Sequence, residues 1–294
     1  MARSERARSP KSSDARASAQ SRVRWELLAG LIRKDLKVKY QGSTLGFLWS
    51  LANPLLLLAV YNFVFGVVFK NSIPHFGIYL MTGLLIWNAF STAVTYASGS
   101  VVANAGLVKK VRFPLQVLPL ASVGFAVVHF LLQMLVLVVV MIATQFHFLS
   151  AQLLLLIPAM AVALLFSVGL GYLVAALNVR YRDTQHLVEV AMIAWFWLNP
   201  IIYGPGLVKD HLHQWFWLYF LNPMAGVVTA FQRGLYQETH YTDPTTGARK
   251  LLLADAGDWF YLRMLGLGAL VSIAVFVLGR RVFHRLSADF AEEL

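Results

Sequence analysis

Side chains whose types and spacing would support catalysis or metal binding are rare in this sequence. His211 and His213 stand two positions apart, a spacing that recurs by chance in loops. No GxxxxGK[ST] run is present to hold nucleotide phosphates, and HExxH, GxSxG and EF-hand patterns are also missing. We therefore predict no catalytic residue and no metal site, and we expect that this chain binds no nucleotide itself.

Ionisable residues inside apolar stretches are the second place to look for chemistry, because they commonly mark proton or ion paths. Only His129, Glu189 and Arg263 qualify, and the last two stand near the ends of their stretches, where long side chains reach the membrane surface. A proton-coupled transporter usually carries more buried acids than this. If the protein moves a substrate uphill, we expect another component to supply the energy.

The composition explains why polar chemistry is scarce. Of 294 residues, 58% are hydrophobic and 13% charged, and the mean hydropathy is +0.63, whereas soluble domains are about half apolar and about a quarter charged. One core cannot bury that much apolar surface, so the bilayer must act as solvent. The chain has no cysteine, which excludes disulfides and thiolate sites.

The apolar stretches have lengths that suit a hydrocarbon core, which needs about 20 helical residues. We predict an all-α polytopic membrane protein with six transmembrane helices, an N-terminal interfacial amphipathic helix and a re-entrant or gate helical hairpin between spans five and six. The hairpin is expected over His213–Tyr236, interrupted at Asn222-Pro223. The predicted spans are Phe47–Phe69, Phe76–Ser98, Leu115–Ala143, Leu153–Asn178, Leu187–Tyr203 and Phe260–Gly279.

The positive charge is distributed unevenly between the two sides of these spans. Nineteen Lys and Arg residues fall in segments on one side and six on the other. Because basic residues are retained in the cytoplasm, we predict a multi-pass protein of the plasma (inner) membrane with both termini cytoplasmic. The net charge of +11 is then topological and suited to membrane lipids, and we expect no nucleic-acid partner.

A basic amphipathic segment precedes the first span. Trp25, Leu28, Ile32 and Leu36 recur at helical spacing, followed by Tyr40, while lysines and arginines occupy other positions. Such a helix lies in the membrane interface. It either anchors the topology or shapes an entrance near the lipid headgroups, and the sequence leaves both interpretations open.

The segment from residue 31 to residue 69 resembles the membrane subunit of ABC-2 type polysaccharide exporters, the Wzm, TagG and KpsM family. Similar runs continue at 107–123, 178–203 and 221–236. The residues of the first run that carry the resemblance are Lys34, Asp35, Leu36, Lys37, Tyr40, Ser43, Leu45, Gly46, Trp49 and Pro54.

The resemblance implies a homodimer of this chain with two copies of a separately encoded ABC ATPase, which would bind ATP and Mg²⁺. It also implies a coupling helix near 103–113 that docks on that ATPase, with Leu107 and Val108 as apolar contacts and nearby cations facing acidic groups. A second cytoplasmic turn at 180–183 would support either the same partner or the amphipathic entry helix. The expected coupling residues are Asn104, Gly106, Leu107, Val108, Lys109, Lys110, Arg112, Arg180, Arg182 and Asp183.

Aromatic residues concentrate around the predicted fifth span and the broken segment after it. They form either an interfacial belt or weak stacking surfaces for a sliding sugar polymer, and the resemblance places gate helices near 206–238. The candidate channel or gate residues are Asn62, Trp87, Trp195, Trp197, Tyr203, Trp215, Trp217 and Tyr219.

Together these patterns predict the transmembrane subunit of an exporter that moves a lipid-diphosphate-linked polysaccharide. The predicted organisation is a disordered cytoplasmic tail (1–21), the amphipathic helix (22–46), the transmembrane domain (47–285) and a cytoplasmic C-terminal tail (286–294). One alternative is an ABC-2 exporter of a drug or lipid. Another is a membrane-embedded glycan enzyme, for which Asp255 and Asp258 are the closest pair of acids.

Overall fold

The computed structural model describes residues 25–39, 41–43, 48–68, 73–111, 113–237, 240–242, 247–253 and 257–294. The predicted tail at 1–21 and the site residues Tyr40 and Arg112 lie outside these ranges, as does Asp255. The described residues are mostly helical, and the helices pack into one bundle, with two short strands at His240–Thr242 and Arg249–Leu251.

We number the elements in chain order. They are α1 (residues 25–39), α2 (Leu48–Tyr61) with a π-helical continuation (Asn62–Val68), α3 (Phe76–Ala103), α4 (Ala105–Lys110), α5 (Val117–Ala143), a 3₁₀ turn (Ala151–Leu155) leading into α6 (Leu156–Arg180), α7 (Thr184–Trp197), α8 (Pro205–Leu212), a 3₁₀ turn (His213–Trp215), α9 (Phe216–Tyr219), α10 (Pro223–Leu235), β1 (His240–Thr242), β2 (Arg249–Leu251), α11 (Asp258–Leu286) and α12 (Phe290–Glu293).

Among the described residues, four helices are long and apolar enough to cross a bilayer. They are α3, α5, α6 with its leading turn, and α11, and they match the predicted second, third, fourth and sixth spans. The predicted first span corresponds to α2 and its π-helical continuation, which includes a shorter apolar stretch, Ala52–Val68. The predicted fifth span corresponds to α7, which has 14 residues and ends at Trp197.

The centre of the bundle is α3, which is buried for most of its length between α5 and α6. The closest helix pair is α6 with α11. A Cβ at Gly279 of α11 would stand 2.0 Å from the Gly169 carbonyl oxygen of α6. Glycine is therefore required there, because only a residue without a side chain lets the two backbones approach this closely.

The broken segment between α7 and α11 contains one surface arm and one buried arm. The short helices α8 and α9 form the surface arm. The buried arm is α10, in which nearly every residue is buried against α3, α6 and α11. Pro223 occupies the first helical position of α10, where its missing N–H costs nothing. The Asn222 side chain accepts a hydrogen bond from the Met224 backbone N–H at 3.2 Å, which caps the helix.

Two elements differ from the sequence prediction. An antiparallel hairpin pairs β1 with β2, with His240 opposite Leu251, so the fold is not strictly all-α. The C-terminal tail is also not free, because α12 packs on α4 and α6 with Phe290 fully buried. A single aromatic side chain in a short tail is a weak sequence signal, yet its burial holds the chain end in place.

Candidate functional site

The predicted coupling segment contains α4, a six-residue helix after α3. Asn104 lies at the joint between the two helices and links three elements. Its side chain accepts a hydrogen bond from Lys34 Nζ of α1 at 2.8 Å and donates one to the Ser100 carbonyl oxygen of α3 at 2.7 Å. Gly106 is next to open space. The joint therefore couples the position of α4 to that of α1.

The two apolar residues of α4 have different environments. Leu107 is 37% exposed, whereas Val108 is 9% exposed and packs in a cluster with Val179, Phe283 and Phe290. This corrects the expectation that both side chains are offered to a partner, because Val108 belongs to the chain's own core. Lys109 and Lys110 are exposed beside Leu107.

The turn at 180–183 lies close to α4 through the C-terminal helix. Arg182 donates a hydrogen bond to the Glu293 carbonyl oxygen at 3.3 Å, and α12 in turn contacts α4. The Arg180 guanidinium lies 5.9 Å from the centre of the Tyr181 ring, and Asp183 is exposed at the start of α7. The structure thus brings the two predicted coupling segments into one surface, which we call the α4–α12 surface.

The apolar stripe of α1 faces the bundle. Leu28, Ile32 and Leu36 are half-buried, whereas Trp25 at the start of the helix is exposed. Ile32 packs so tightly on α5 that a Cβ at Gly124 would stand 2.5 Å from its Cδ1 atom. At the end of the helix, Lys39 Nζ lies 3.3 Å from His129 Nε2 of α5, and burial lowers the pKa of this lysine.

A cavity of about 530 Å³, the entrance groove, separates α1 from α3, α5 and the start of α7. Its lining mixes small side chains with polar and charged ones. The charged and polar side chains among its lining residues are Lys34, Asp35, Lys39, Thr95, Ser100, Asn104, Ser122, Gln185 and Glu189.

A second groove, of about 350 Å³, continues along α3 and α7, and we call it the outer groove. It shares Thr95 and Glu189 with the entrance groove, so the two grooves adjoin along these helices, and we call them together the path. Within α7, the Glu189 carboxylate accepts a hydrogen bond from Gln185 Nε2 at 3.4 Å, and its other oxygen lies 3.7 Å from His186 Nδ1. The residues that line the outer groove are Trp87, Ser91, Thr95, Glu189, Met192, Ile193, Phe196 and Trp197.

The sequence prediction did not name the polar residues of this path as site residues. Ser91 and Thr95 are one helical turn apart on α3, and Gln185 and Glu189 are one turn apart on α7. A pair of polar residues four positions apart in an otherwise apolar helix marks one polar face. That spacing is the signal that would have found the path.

The predicted channel aromatics fall into a buried set and an exposed set. Trp87 is 4% exposed and packs with Phe90, Trp195 and Phe196, at ring-centre distances of 5.5 to 6.5 Å. Trp87 lines the outer groove with little exposed surface, and its role as a channel residue stays a prediction. Trp195 is also partly buried, with its ring edge against Phe90 and Phe166.

The exposed aromatics surround the end of α7. Trp197 is 61% exposed, Trp215 59% and Trp217 43%. Tyr203 and Tyr219 are half-buried, and their hydroxyl oxygens lie 3.4 Å apart. Burial raises the pKa of Tyr219, and its hydrogen bond with Tyr203 adds to the shift, so the phenol stays neutral. Asn62 is exposed at the start of the π-helical segment, with its side chain against Gly77 of α3.

Two Asn-Pro sequences meet where α7 ends and α10 begins. Asn222 donates to the Asn199 side-chain oxygen at 3.0 Å and accepts from the Trp195 indole N–H at 3.2 Å. Asn199 closes the ring by donating to the Trp195 carbonyl oxygen at 2.7 Å. We call this ring the Asn-Pro clasp, and it joins the end of α7 to the buried α10.

Several long apolar helices, with a partly polar path between two of the bundle's elements, define a multi-pass membrane protein. The family model for the ABC-2 type transporter matches residues 26–236. The chain belongs to the ABC-2 type transporter family.

The chain is similar to proteins that are named for export or transport. The O-antigen export system permease protein RfbA of Myxococcus xanthus is 36% identical over 212 residues, covering 72% of this chain and 80% of the relative. A protein of the same name from Klebsiella pneumoniae is 30% identical over 271 residues, covering 92% and 95%. The polysialic acid transport protein KpsM of Escherichia coli is 20% identical over 203 residues, covering 67% and 76%.

Proposed function

We propose that this chain is the transmembrane subunit of an ATP-driven exporter that moves a lipid-linked polysaccharide out across the plasma membrane. The observation that carries the proposal is the path along α3 and α7, which begins with charged groups at α1 and ends at exposed aromatic rings. The relatives' names support a polysaccharide as the cargo. ATP and Mg²⁺ would be bound by a separate ATPase subunit.

The path suits a polymer that must slide. Ser91, Thr95 and Glu189 offer hydrogen-bond partners, while Trp197 and Phe196 offer flat apolar faces. Sugar rings have C–H faces that stack on aromatic rings and hydroxyl groups that exchange hydrogen bonds, so each contact is weak and repeatable. A second copy of the chain facing the outer groove would complete a channel.

Energy would enter at the α4–α12 surface. Leu107 supplies an exposed apolar contact, with Lys109 and Lys110 beside it. Displacement of α4 by an ATPase would be transmitted to α1 through the Lys34–Asn104 hydrogen bond. Because α1 forms one wall of the entrance groove, this linkage would open or narrow the entrance.

The proposed topology has six spans and cytoplasmic termini. The first span would be α2 with its π-helical continuation, and the fifth would be α7 extended by the turn to Tyr203. The segment α8–α9 would form the outer gate, with α10 returning into the bundle. In this arrangement α4, α12 and the 180–183 turn face the cytoplasm together, which agrees with the excess of basic residues on that side.

Thiol blocking of the path tests the proposal, because the chain has no cysteine of its own. The test variants are Ser91→Cys and Ile193→Cys in the outer groove, and the control is Leu270→Cys, which is exposed on α11. A bulky maleimide added to cells should reduce new surface polysaccharide severalfold in the groove variants only. Undiminished export in both labelled groove variants would exclude this path, as would an equal loss in the control.

A further inference from the structure

A pocket of about 740 Å³ opens between α1, the 113–117 segment, α6 and α11, and we call it the α1–α11 pocket. It shares no lining residue with the entrance groove. Leu28 of α1 lines this pocket, whereas Lys34 and Val38 of the same helix line the groove. The helix thus separates the two cavities, so the pocket is not part of the proposed path.

The lining of the pocket has an apolar wall and a basic corner. Tyr172 and Phe283 form the back of the wall, with ring centres 5.5 Å apart, and Trp25 stands at its mouth. Arg280 and His284 lie one turn apart on α11 and line the corner together with Gln116 and Ser287. The remaining apolar residues of the lining are Leu28, Phe113, Pro114, Leu115, Val117 and Leu120.

The basic corner has no acidic counterpart in the described structure. Among the described residues, no Asp or Glu lines the pocket, and neither Arg280 nor His284 forms an ion pair. Both side chains are exposed to the pocket mouth or the surrounding solvent. An arginine that has no acidic partner and stands next to an apolar wall suits a ligand that carries both an anionic group and a hydrocarbon chain.

We propose that the α1–α11 pocket binds one anionic phospholipid of the surrounding membrane. Its phosphate would receive charge-assisted hydrogen bonds from Arg280 and His284, and an acyl chain would lie along Phe283, Tyr172 and Leu28. Basic pockets between helices on the cytoplasmic side are where anionic headgroups bind membrane proteins. The lipid would pack against the side of α1 that faces away from the entrance groove. It would thereby support α1 as a wall of that groove.

The test is native mass spectrometry of the purified full-length chain with phosphatidylglycerol, phosphatidylcholine or a polyprenyl diphosphate added. The pocket variant is the pair Arg280→Gln with His284→Gln. The matched control is Arg281→Gln with Arg285→Gln, because these arginines are exposed on the same helix and do not line the pocket. Thermal unfolding in lipid-free detergent checks that both variants are folded.

We expect the wild-type chain and the control to retain one phosphatidylglycerol, and the pocket variant to bind it about tenfold more weakly, equivalent to about 1.4 kcal/mol. Equal weakening in the control would overturn the proposal, since it would show that the lipid is attracted only by the net positive charge of α11. Equal binding of phosphatidylcholine, or a stronger preference for polyprenyl diphosphate, would also overturn it. The measurement involves no transport, so its outcome is independent of the proposed exporter function.

Discussion

Leu107 and Val108 are neighbours in α4, but a partner protein could touch only the first. Val108 packs among Val179, Phe283 and Phe290, whereas Leu107 remains partly exposed. The same division separates the tryptophans, since Trp87 is enclosed by other rings while Trp197 is mostly exposed. At the scale of single residues, exposure therefore distinguishes side chains available to a ligand from those that hold the fold.

The first prediction separates coupling from stability within α4. Leu107→Asp should leave stability within about 0.5 kcal/mol, as for most surface changes, while reducing co-purification of the ATPase and export. Val108→Asp should cost at least about 2 kcal/mol, because it buries a polar group without a partner. Abundance, thermal unfolding and ATPase recovery distinguish the two. Normal ATPase recovery and export by Leu107→Asp would remove this residue from the coupling surface.

The second prediction concerns the exposed aromatics. A leucine substitution at Trp197, Trp215 or Trp217 keeps an apolar side chain, whose burial is worth about 25 cal/mol per Å². It removes the flat face of the aromatic ring. At least one of these variants should show severalfold less surface polysaccharide at normal abundance, with lipid-linked polymer accumulating inside. Trp87→Leu is the contrasting variant, with an expected stability loss of about 2 kcal/mol from the cavity it leaves. Full export by all three exposed-site variants would assign these rings to the interfacial belt.

At the scale of elements, α7 and α10 are joined by the Asn-Pro clasp rather than by apolar packing alone. Asn199 and Asn222 stand directly before prolines that end or begin a helix, so neither residue is constrained to regular helical hydrogen bonding. Their side chains instead bond to each other and to Trp195. Gln232 of α10 adds a buried bond to the Pro200 carbonyl oxygen at 2.8 Å.

The third prediction tests this clasp by a double-mutant cycle. Asn222→Ala removes the acceptor of the Trp195 indole N–H and the cap of α10, which should cost about 1–3 kcal/mol. Asn199→Ala should cost a similar amount, and the double variant should cost less than the sum by at least about 0.5 kcal/mol. Thermal or denaturant unfolding in detergent measures all three. Additive costs would show that the two asparagines act separately.

At the scale of the whole molecule, α3 is the central helix and packs against α5, α6, α7 and α10, while α11 packs on α6 and α10. The helices α4 and α12 and the 180–183 turn form one end. The C-terminal helix takes part in that end through Phe290 and Glu293. This end is assembled from three separate parts of the chain, so it depends on the packing of the bundle. Phe290 is buried within it, whereas Leu107 is exposed on it.

The fourth prediction addresses how this bundle is oriented. The test variants are Lys109→Cys and Glu292→Cys on the α4–α12 surface, and Gln214→Cys in the segment between α8 and α9. All three positions are exposed. An impermeant maleimide should label Gln214→Cys in intact cells, and the other two only after permeabilisation. Labelling of Gln214→Cys only after permeabilisation would contradict the six-span topology.

The sequence alone predicted those features that depend on neighbouring residues. Apolar lengths located α3, α5, α6 and α11, because a bilayer requires a continuous run of about 20 residues. The motif around Lys34 and Asp35 indicated the family, which the match over residues 26–236 confirmed. Asn222-Pro223 marked the break in the segment between α7 and α11, since proline restricts the backbone locally.

Tertiary structure alone decided which faces are available. Whether Leu107 or Val108 points outward depends on Phe283 and Phe290, which lie far along the chain. The burial of Trp87 and the contact between Asn199 and Asn222 likewise require helices that are distant in sequence to pack together. The path depends on the packing of α3 against α7, which places Thr95 and Glu189 in the lining of both grooves. Periodicity assigns residues to a face of a helix, but only packing determines what that face meets.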